Sequence, residues 1–543
     1  MKNNQVLKIE TNLASFLQNE QVHASLAGIR RGIERELIRT QATGGISDKT
    51  HPVELGSALT HPYITTDFSE AQLELVTPAM DDRTATFDSL ASLHHFVATR
   101  LPEGETLWGA SMPPQLPNDE TESEDAIRIA SYGTSNAGLL KKRYREGLAN
   151  RYGKRMQLIS GIHYNFSLPE AFWIALYDHQ KSIDSSVAQM PLEAFVSERY
   201  FHMIRNVLRH GWLVPYLFGA SPAVDNSYLQ GKAHALEVFD DETCYLPWAT
   251  SLRLSNLGYS SDEQSSYPIS FNNRQQYLSD LHNALTRPSE RYLHLDIDQQ
   301  MNGSVLQLEN ELYGSVRPKI VNDTLRPLYA MCHYGVQYVE LRSMDNNPYL
   351  PLGIAQEQSH FLDLFLVYSA LAPSPELTEE ERAIVVQRQE LVATQGRKPD
   401  LTLPTLEGEV SLETLGLDLL DAIQQIAALF DDAFSTDSYQ TSIFSERMKL
   451  QNSDLTPSAK LLAQMKNQGL SHQGLMQRLS DEHLLVHLQH QVETEKMDNL
   501  TALVDESLSK QQQMERQPDI SFDDFLKKQN QLQRDCKQQE MMV

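Results

Sequence analysis

Gly32-Ile33-Glu34-Arg35-Glu36-Leu37-Ile38-Arg39 alternates polar and apolar residues. A period of two is the signature of a strand with two unlike faces. Glu34 and Glu36 then share one face, and Ile33 and Leu37 the opposite one. Four other stretches repeat the pattern: Glu70-Ala71-Gln72-Leu73-Glu74-Leu75-Val76, Ile162-His163-Tyr164-Asn165-Phe166-Ser167-Leu168, Leu306-Gln307-Leu308-Glu309-Asn310-Glu311-Leu312-Tyr313 and Val336-Gln337-Tyr338-Val339-Glu340-Leu341-Arg342. Five such strands can build one sheet with a polar wall of Glu, His, Asn and Arg. Such a wall is either solvated surface or a cation site.

Around these strands the chain reads as α+β. Residues 11–31 suggest a short helix feeding the first strand. Phe87, Leu90, Leu93, Phe96 and Val97 recur at helical spacing within 82–101. Helical periodicity returns at 136–158 and 195–211. The stretch 114–126 is rich in Pro, Asn, Asp, Glu and Ser, and reads as a solvated loop. Ser251-Leu252-Arg253-Leu254-Ser255 alternates like another strand. After about residue 375 the expected elements are all helical: 376–395, 412–434, 457–469 and 481–510. The expected organisation is a catalytic α+β body over 1–374, a helical region over 375–510 packed on it, and a Gln/Lys-rich tail over 511–543 that is partly mobile.

Composition narrows the function. The 543 residues suffice for a large core, and 41% of them are hydrophobic, as in ordinary globular proteins. A net charge of −26 opposes binding to nucleic acid or to anionic membranes, both of which reward Lys and Arg. Cys244, Cys332 and Cys536 lie far apart and suggest neither a disulfide framework nor a thiolate zinc site. The N-terminus lacks the apolar core of a secretory signal, and the most apolar run, 361–372, is too short for a bilayer and contains Asp363. A cytoplasmic location and a buried 361–372 helix are expected.

Several carboxylates in one cavity lose hydration and repel one another, so they stay ionised only beside cations. Hard oxygen ligands with one imidazole suit Mg²⁺ or Mn²⁺. Arg145, Arg253, Arg317, Lys319 and Arg342 stand near the proposed wall and suit anionic groups. Gly231-Lys232 is followed by Ala233 with no upstream glycine at P-loop spacing, and no G-x-G-x-x-G occurs. A P-loop kinase and a Rossmann dehydrogenase are thereby disfavoured.

Longer strings carry a resemblance. Gly28-Ile29-Arg30-Arg31-Gly32-Ile33-Glu34-Arg35-Glu36, Gly56-Ser57-Ala58-Leu59-Thr60-His61 and Thr65-Thr66-Asp67-Phe68 resemble the opening motifs of gammaproteobacterial glutamate–cysteine ligases. Tyr132-Gly133-Thr134-Ser135-Asn136, Tyr144-Arg145-Glu146-Gly147-Leu148, Gly161-Ile162-His163-Tyr164-Asn165-Phe166 and Glu340-Leu341-Arg342-Ser343 extend the likeness, which runs from about 20 to 405.

The resemblance implies a glutamine-synthetase-like fold, in which a curved, mainly antiparallel sheet forms a funnel with helices behind it. It implies ATP-dependent joining of L-glutamate to L-cysteine, with Mg²⁺ (or Mn²⁺) as cofactor. By motif match, Glu34, Glu36, Asp67, Glu74, Glu340 and His163 would hold metal. Arg253 and Arg342 would be catalytic, contacting carboxylate or phosphoryl oxygens. Phe68, Tyr144, Arg145, Leu148, Tyr259 and Tyr313 would bind substrate, and Asn165 the nucleotide. Glutathione is the expected feedback inhibitor, and a monomer the expected state. Two other readings stay open: a ligase for a different amine, which a basic or open pocket would favour, and a non-catalytic metabolite-binding protein on the same fold.

Overall fold

The computed structural model describes residues 11–118, 126–230, 232–258, 264, 267–517 and 520–529. Its main sheet is built from β1 (Arg30–Gln41), β2 (Ile64–Thr66), β3 (Gln72–Val76), β4 (Glu105–Trp108), β5 (Ile162–Ser167), β9 (Val316–Lys319) and β10 (Tyr338–Met344). A smaller sheet of β6 (Ala223–Asp225), β7 (Glu237–Val238) and β8 (Thr243–Tyr245) lies between β5 and β9 in sequence. The main sheet runs in the order β2-β3-β1-β5-β10-β9, with β4 also paired to β1, and every pairing is antiparallel. Four of the five alternating stretches therefore supply strands of one sheet.

The fifth stretch does not. Residues 306–313 are irregular, with a 3-10 turn at Glu309–Glu311. Glu309 accepts from Arg326 (2.5 Å), and Glu311 accepts from Arg151 (3.0 Å) and Tyr152 (2.8 Å). These carboxylates anchor a turn and line no strand face. Ser251–Ser255 is likewise a 3-10 turn over Leu252–Leu254. Ser251 Oγ caps it by accepting from Leu254 N–H, a local bond that competes with strand pairing.

The rear of the sheet also departs from the expected apolar face. Ile33 and Leu37 are buried there, but Arg31, Arg35 and Arg39 alternate with them and are 1%, 1% and 0% exposed. Each finds a buried partner. Arg31 pairs with Asp363 (2.5 Å) and Arg39 with Glu105 (2.6 Å). Arg35 donates to Asn346 Oδ1 (3.0 Å) and meets His94 Nε2 (2.9 Å). Asp363 sits in the Gln356–Leu371 helix, which covers the expected apolar run and is buried nearly all round. A helix apolar on every side belongs inside the core.

Further helices pack behind: Arg83–Ala98, Leu192–His210, Leu412–Phe434 and Ser438–Gln451. The last of these was not anticipated. A single apolar core contains residues from Leu13 to Val504, including members on both sides of residue 375. The leading segment forms two short helices, Thr11–Leu17 and Glu20–Leu26, where one was expected. Two further corrections concern the C-terminal half. A hairpin, β11 (Thr402–Thr405) with β12 (Gly408–Ser411), stands where only helices were expected; strands of four residues are too short to print a period. The expected 481–510 helix is two, His472–Gln489 and Thr494–Arg516. His95 Nδ1 lies 2.8 Å from His487 O, the carbonyl a continuing helix would have used. Cys244 is buried and free. Among the described residues, no helix is long and apolar enough to cross a membrane.

Candidate active site

Cross-strand register builds the site. Residues directly opposite one another in a sheet project to the same side. Glu36 faces Glu74, Glu34 faces His163, Asn165 faces Glu340, and Glu340 faces Arg317. The polar residues of β3, β1, β5, β10 and β9 thus form one continuous wall. It borders a cavity of ≈ 630 Å³ that Asp67, Phe68, Tyr144, Arg145, Leu148, Arg253, Tyr313 and Arg342 also line. Thirteen of the fifteen expected site residues border this cavity. Asn165 stands behind it, donating from Nδ2 to Glu34 Oε1 (2.8 Å). Tyr259 lies outside the described residues.

The wall has an acidic half and a compensated half. Glu34 Oε2 is 3.0 Å from His163 Nδ1, and Glu36 Oε1 is 3.6 Å from His163 Nε2. Gly161 N–H donates to Glu36 Oε2 (2.7 Å). Ligand atoms of Glu34, Glu74 and His163 all lie within 4.8 Å of one another. Burial, reinforced by Asp67, pushes the Glu36 carboxyl up to about 8. Burial and the charges of Glu34 and Asp67 raise Glu74 well above the ordinary range, and burial raises Asp67. Burial pushes Glu34 up as well, but the His163 hydrogen bond together with the charges of His163 and Lys319 outweighs it and leaves the carboxyl lowered. Burial, followed by Arg342, holds the His163 imidazole down at about 4, in the neutral form that ligates metals.

Glu340 belongs to the other half. Lys319 (3.0 Å), Arg342 (3.1 Å) and Arg317 (4.0 Å) surround it. These cations overcome the effect of its burial and hold it well below the usual carboxylate range. Arg253 reaches Asp345 Oδ1 (3.7 Å) and donates to Arg342 O (2.9 Å). Asp345 in turn accepts from Ser221, Ser251 and Ala220 N–H, so the guanidinium rests on a fixed carboxylate.

The donor set fits a hard divalent cation. Its oxygens are carboxylates, its one nitrogen is a neutral imidazole, and the acidic half is short of positive charge. Glu34, Glu74 and His163 are close enough to share an ion as they stand, while Glu36 and Asp67 flank them and Glu340 is held by Lys319 and Arg342. Lys141, Gln157 and Gln264 also line the cavity and were not expected. Lys141 and Gln157 sit on or after a helix whose periodicity describes its packing, not what its polar side reaches. Glu309 and Glu311, counted with the acidic faces, are absent from the lining.

Comparison with known proteins bears on the same region. The sequence model of the family described as glutamate–cysteine ligase matches residues 14–392. The glutamate–cysteine ligase of Azotobacter vinelandii is 43% identical over 501 residues, covering 91% of this chain and 93% of that protein. The Pseudomonas aeruginosa enzyme is 41% identical over the same length and with the same coverage. The crystal structure of Francisella tularensis glutamate–cysteine ligase in complex with AMP superposes with a TM-score of 0.85 at 30% identity, covering 94% of this chain and 98% of that one. With the family model spanning most of the chain and relatives above 40% identity over nine-tenths of it, this chain belongs to the glutamate–cysteine ligase family.

Proposed function

We propose that the carboxylate-lined cavity is where this chain performs its family's reaction, the ATP-dependent joining of the γ-carboxylate of L-glutamate to the amine of L-cysteine that opens glutathione synthesis. One observation carries the reading. Glu34, Glu36, Asp67, Glu74, His163, Glu340, Arg253 and Arg342 come from separate parts of the chain and meet around one cavity. A solvated sheet face would not need buried carboxylates against buried arginines.

The chemistry accounts for both halves of the wall. A carboxylate is a poor electrophile. Transfer of the γ-phosphoryl group of ATP to the glutamate γ-carboxylate gives an acyl phosphate and ADP. The cysteine amine then attacks the acyl carbon, phosphate leaves, and the amide of γ-glutamylcysteine remains. Arg253 and Arg342 stabilise the negative charge on the transferring phosphoryl oxygens. Glu34, Glu36, Asp67, Glu74 and His163 would hold Mg²⁺ or Mn²⁺, with Glu340 a sixth ligand once Lys319 and Arg342 turn to phosphate. A bound divalent ion there supplies charge neutralisation for the phosphates. Asn165 orients Glu34 from behind.

Phe68, Tyr144, Leu148 and Tyr313 form an apolar side of the cavity suited to a small thiol side chain. That favours cysteine over a larger or cationic amine. Burial raises both tyrosines above their ordinary range, so their hydroxyls remain protonated donors. The funnel-shaped sheet belongs to 1–374, and the 375–510 helices brace it. Glutathione, which contains both amino-acid parts, inhibits at the same cavity, and the chain works in the cytoplasm as a monomer.

The test is ADP release with Mg²⁺, ATP and L-glutamate, with and without L-cysteine, followed by mass analysis. Strong cysteine dependence and a γ-glutamylcysteine mass are expected. Stimulation by another amine alone would reassign the acceptor, and nucleotide binding without turnover would return the non-catalytic reading.

A further inference from the structure

Among the described residues, Lys141 is the cavity cation that no carboxylate or carbonyl binds directly. It lies on the Asn136–Tyr152 helix, one turn before Arg145, and lines the same cavity as the carboxylates. The other cavity cations are engaged. Lys319 and Arg342 bond Glu340, Arg317 donates to Asn310 O (2.9 Å), and Arg253 donates to Arg342 O. Arg145 donates to the carbonyls of Thr66 and Asp67 and lies 4.6 Å from the Tyr132 ring centroid. The Lys141 ammonium has no hydrogen bond and no ion pair among the described residues; its neighbour is the Tyr132 ring, 5.1 Å away. A partly dehydrated ammonium with three unused donors gains most from an anion.

Its place says which anion. The sheet order puts β2 and β3 at one end of the wall and β10 and β9 at the other. Arg253 and Arg342 stand with Glu340 at the β10 end, where the reading above places the phosphoryl group. Lys141 stands at the β2–β3 end, with Glu74 and Arg145 as the charges it feels. Burial, with Arg145 nearby, pushes the ammonium down to about 8, as expected of a cation that lacks its counter-ion.

We infer that Lys141 is a substrate-binding residue that holds the α-carboxylate of an amino-acid substrate, glutamate or cysteine, at the β2–β3 end of the cavity. This rests on the assignment of the cavity as the ligase site. Arg145, a residue expected to meet a carboxylate, has its fork committed to backbone carbonyls, and Lys141 is the neighbouring cation able to take that part.

Lys141→Met keeps the length of the side chain and removes the charge; Lys141→Arg keeps the charge. Initial rates with Mg²⁺, varying glutamate, cysteine and ATP in turn, are the readout. The expected result for Lys141→Met is a KM raised about 10- to 100-fold for one amino acid only, the size of a lost charge-assisted hydrogen bond. The KM for ATP stays within about twofold, and Lys141→Arg recovers most of the loss. Substrates without an α-carboxylate identify the source. If the cysteine carboxylate is held, wild type and Lys141→Met use cysteamine equally. If the glutamate carboxylate is held, they use 4-aminobutanoate equally. An unchanged amino-acid KM, or a rise confined to ATP, overturns the inference. If Lys141→Met does not fold by thermal melting, Lys141→Gln is read in the same way. Glu34→Gln separates the two levels. Retained turnover in that variant overturns the site assignment itself, whereas its loss alongside a silent Lys141→Met overturns the Lys141 inference alone.

Discussion

At the scale of the residue, one sheet handles charge in opposite ways on its two sides. On the cavity side Glu34 is crowded by Glu340 and Glu74, and the proposed function gives it the part of a metal ligand. Glu34→Gln should therefore abolish γ-glutamylcysteine formation at only a small cost in melting temperature, because the repulsion from Glu340 that it relieves offsets part of the lost His163 bond. A large fall in melting temperature with activity retained would show Glu34 to be structural. On the rear side the charges are paired. Asp363 accepts from Arg31, Arg83 and Tyr164 (2.9 Å), and the two arginines outweigh burial to hold its carboxyl below the ordinary range. A group lowered in the folded state contributes stability in full above its unfolded pKa and loses it as pH falls through the folded one. Acidification below the ordinary carboxylate range should thus weaken the fold through Asp363. Asp363→Asn, which leaves Arg31 buried without a counter-charge, should cost about 3–5 kcal/mol at neutral pH and flatten the acid-side fall of the melting temperature. A neutral-pH melting temperature equal to wild type would contradict this. The cavity-side glutamates were legible because strand alternation places them. The Arg31–Asp363 pair was not, because nothing local couples residues so far apart in sequence.

At the scale of the element, alternation succeeded where both strand neighbours exist and failed where side chains had nearer partners. β1, β3, β5 and β10 each pair on two sides, so period two survives into the fold. In 306–313 and 251–255 local carboxylate and serine bonds close a turn first. The Arg253 turn nevertheless lines the cavity, and its position depends on the residue entering β5. A Cβ on Gly161 would stand 2.1 Å from Arg253 Nη2 and 2.7 Å from its Nε. Arg253 is 2% exposed, so it has little room to yield. Gly161→Ala should displace the guanidinium and lower kcat/KM about 100-fold, the usual cost of a misplacement near 1 Å. Nucleotide binding, measured by calorimetry, should weaken far less than turnover falls. Wild-type turnover would mean that Arg253 need not sit where the fold puts it.

At the scale of the whole molecule, the last long helix reaches back to the two loops that frame the cavity. Ser507 Oγ accepts from Ser57 N–H (3.0 Å), and Gln511 Oε1 accepts from the Ser57 hydroxyl (2.5 Å). Glu515 Oε1 accepts from Thr134 N–H (3.0 Å) and from Gln511 (3.0 Å). Gly133, at φ 81°, allows this approach, since a Cβ there would lie 1.9 Å from Glu515 Oε1. One clasped loop leads to Thr66 and Asp67. The other ends in Tyr132, whose hydroxyl bonds Thr66 (2.8 Å), and in Ser135, which caps the helix bearing Tyr144 and Arg145. Sequence pattern marks 481–510 as helical but leaves Gln511 and Glu515 to a partly mobile tail, whereas the helix runs on to Arg516; its contacts are polar and distant along the chain, so no local pattern shows them. Gln511→Ala combined with Glu515→Ala should leave the core intact, since neither side chain enters it. The melting temperature should fall by a few degrees, for about 1–2 kcal/mol of lost hydrogen bonds. The telling readout is kinetic: kcat/KM for cysteine should fall about tenfold as Asp67, Phe68 and Arg145 lose their fixed geometry. Glu515→Gln retains an acceptor for Thr134 N–H and should stay close to wild type. If the double variant melts lower but turns over normally, the helix is a brace for the fold and nothing more. If it melts as wild type yet turns over slowly, the clasp acts on the site, and the C-terminal region is part of the machinery that its distance in sequence conceals.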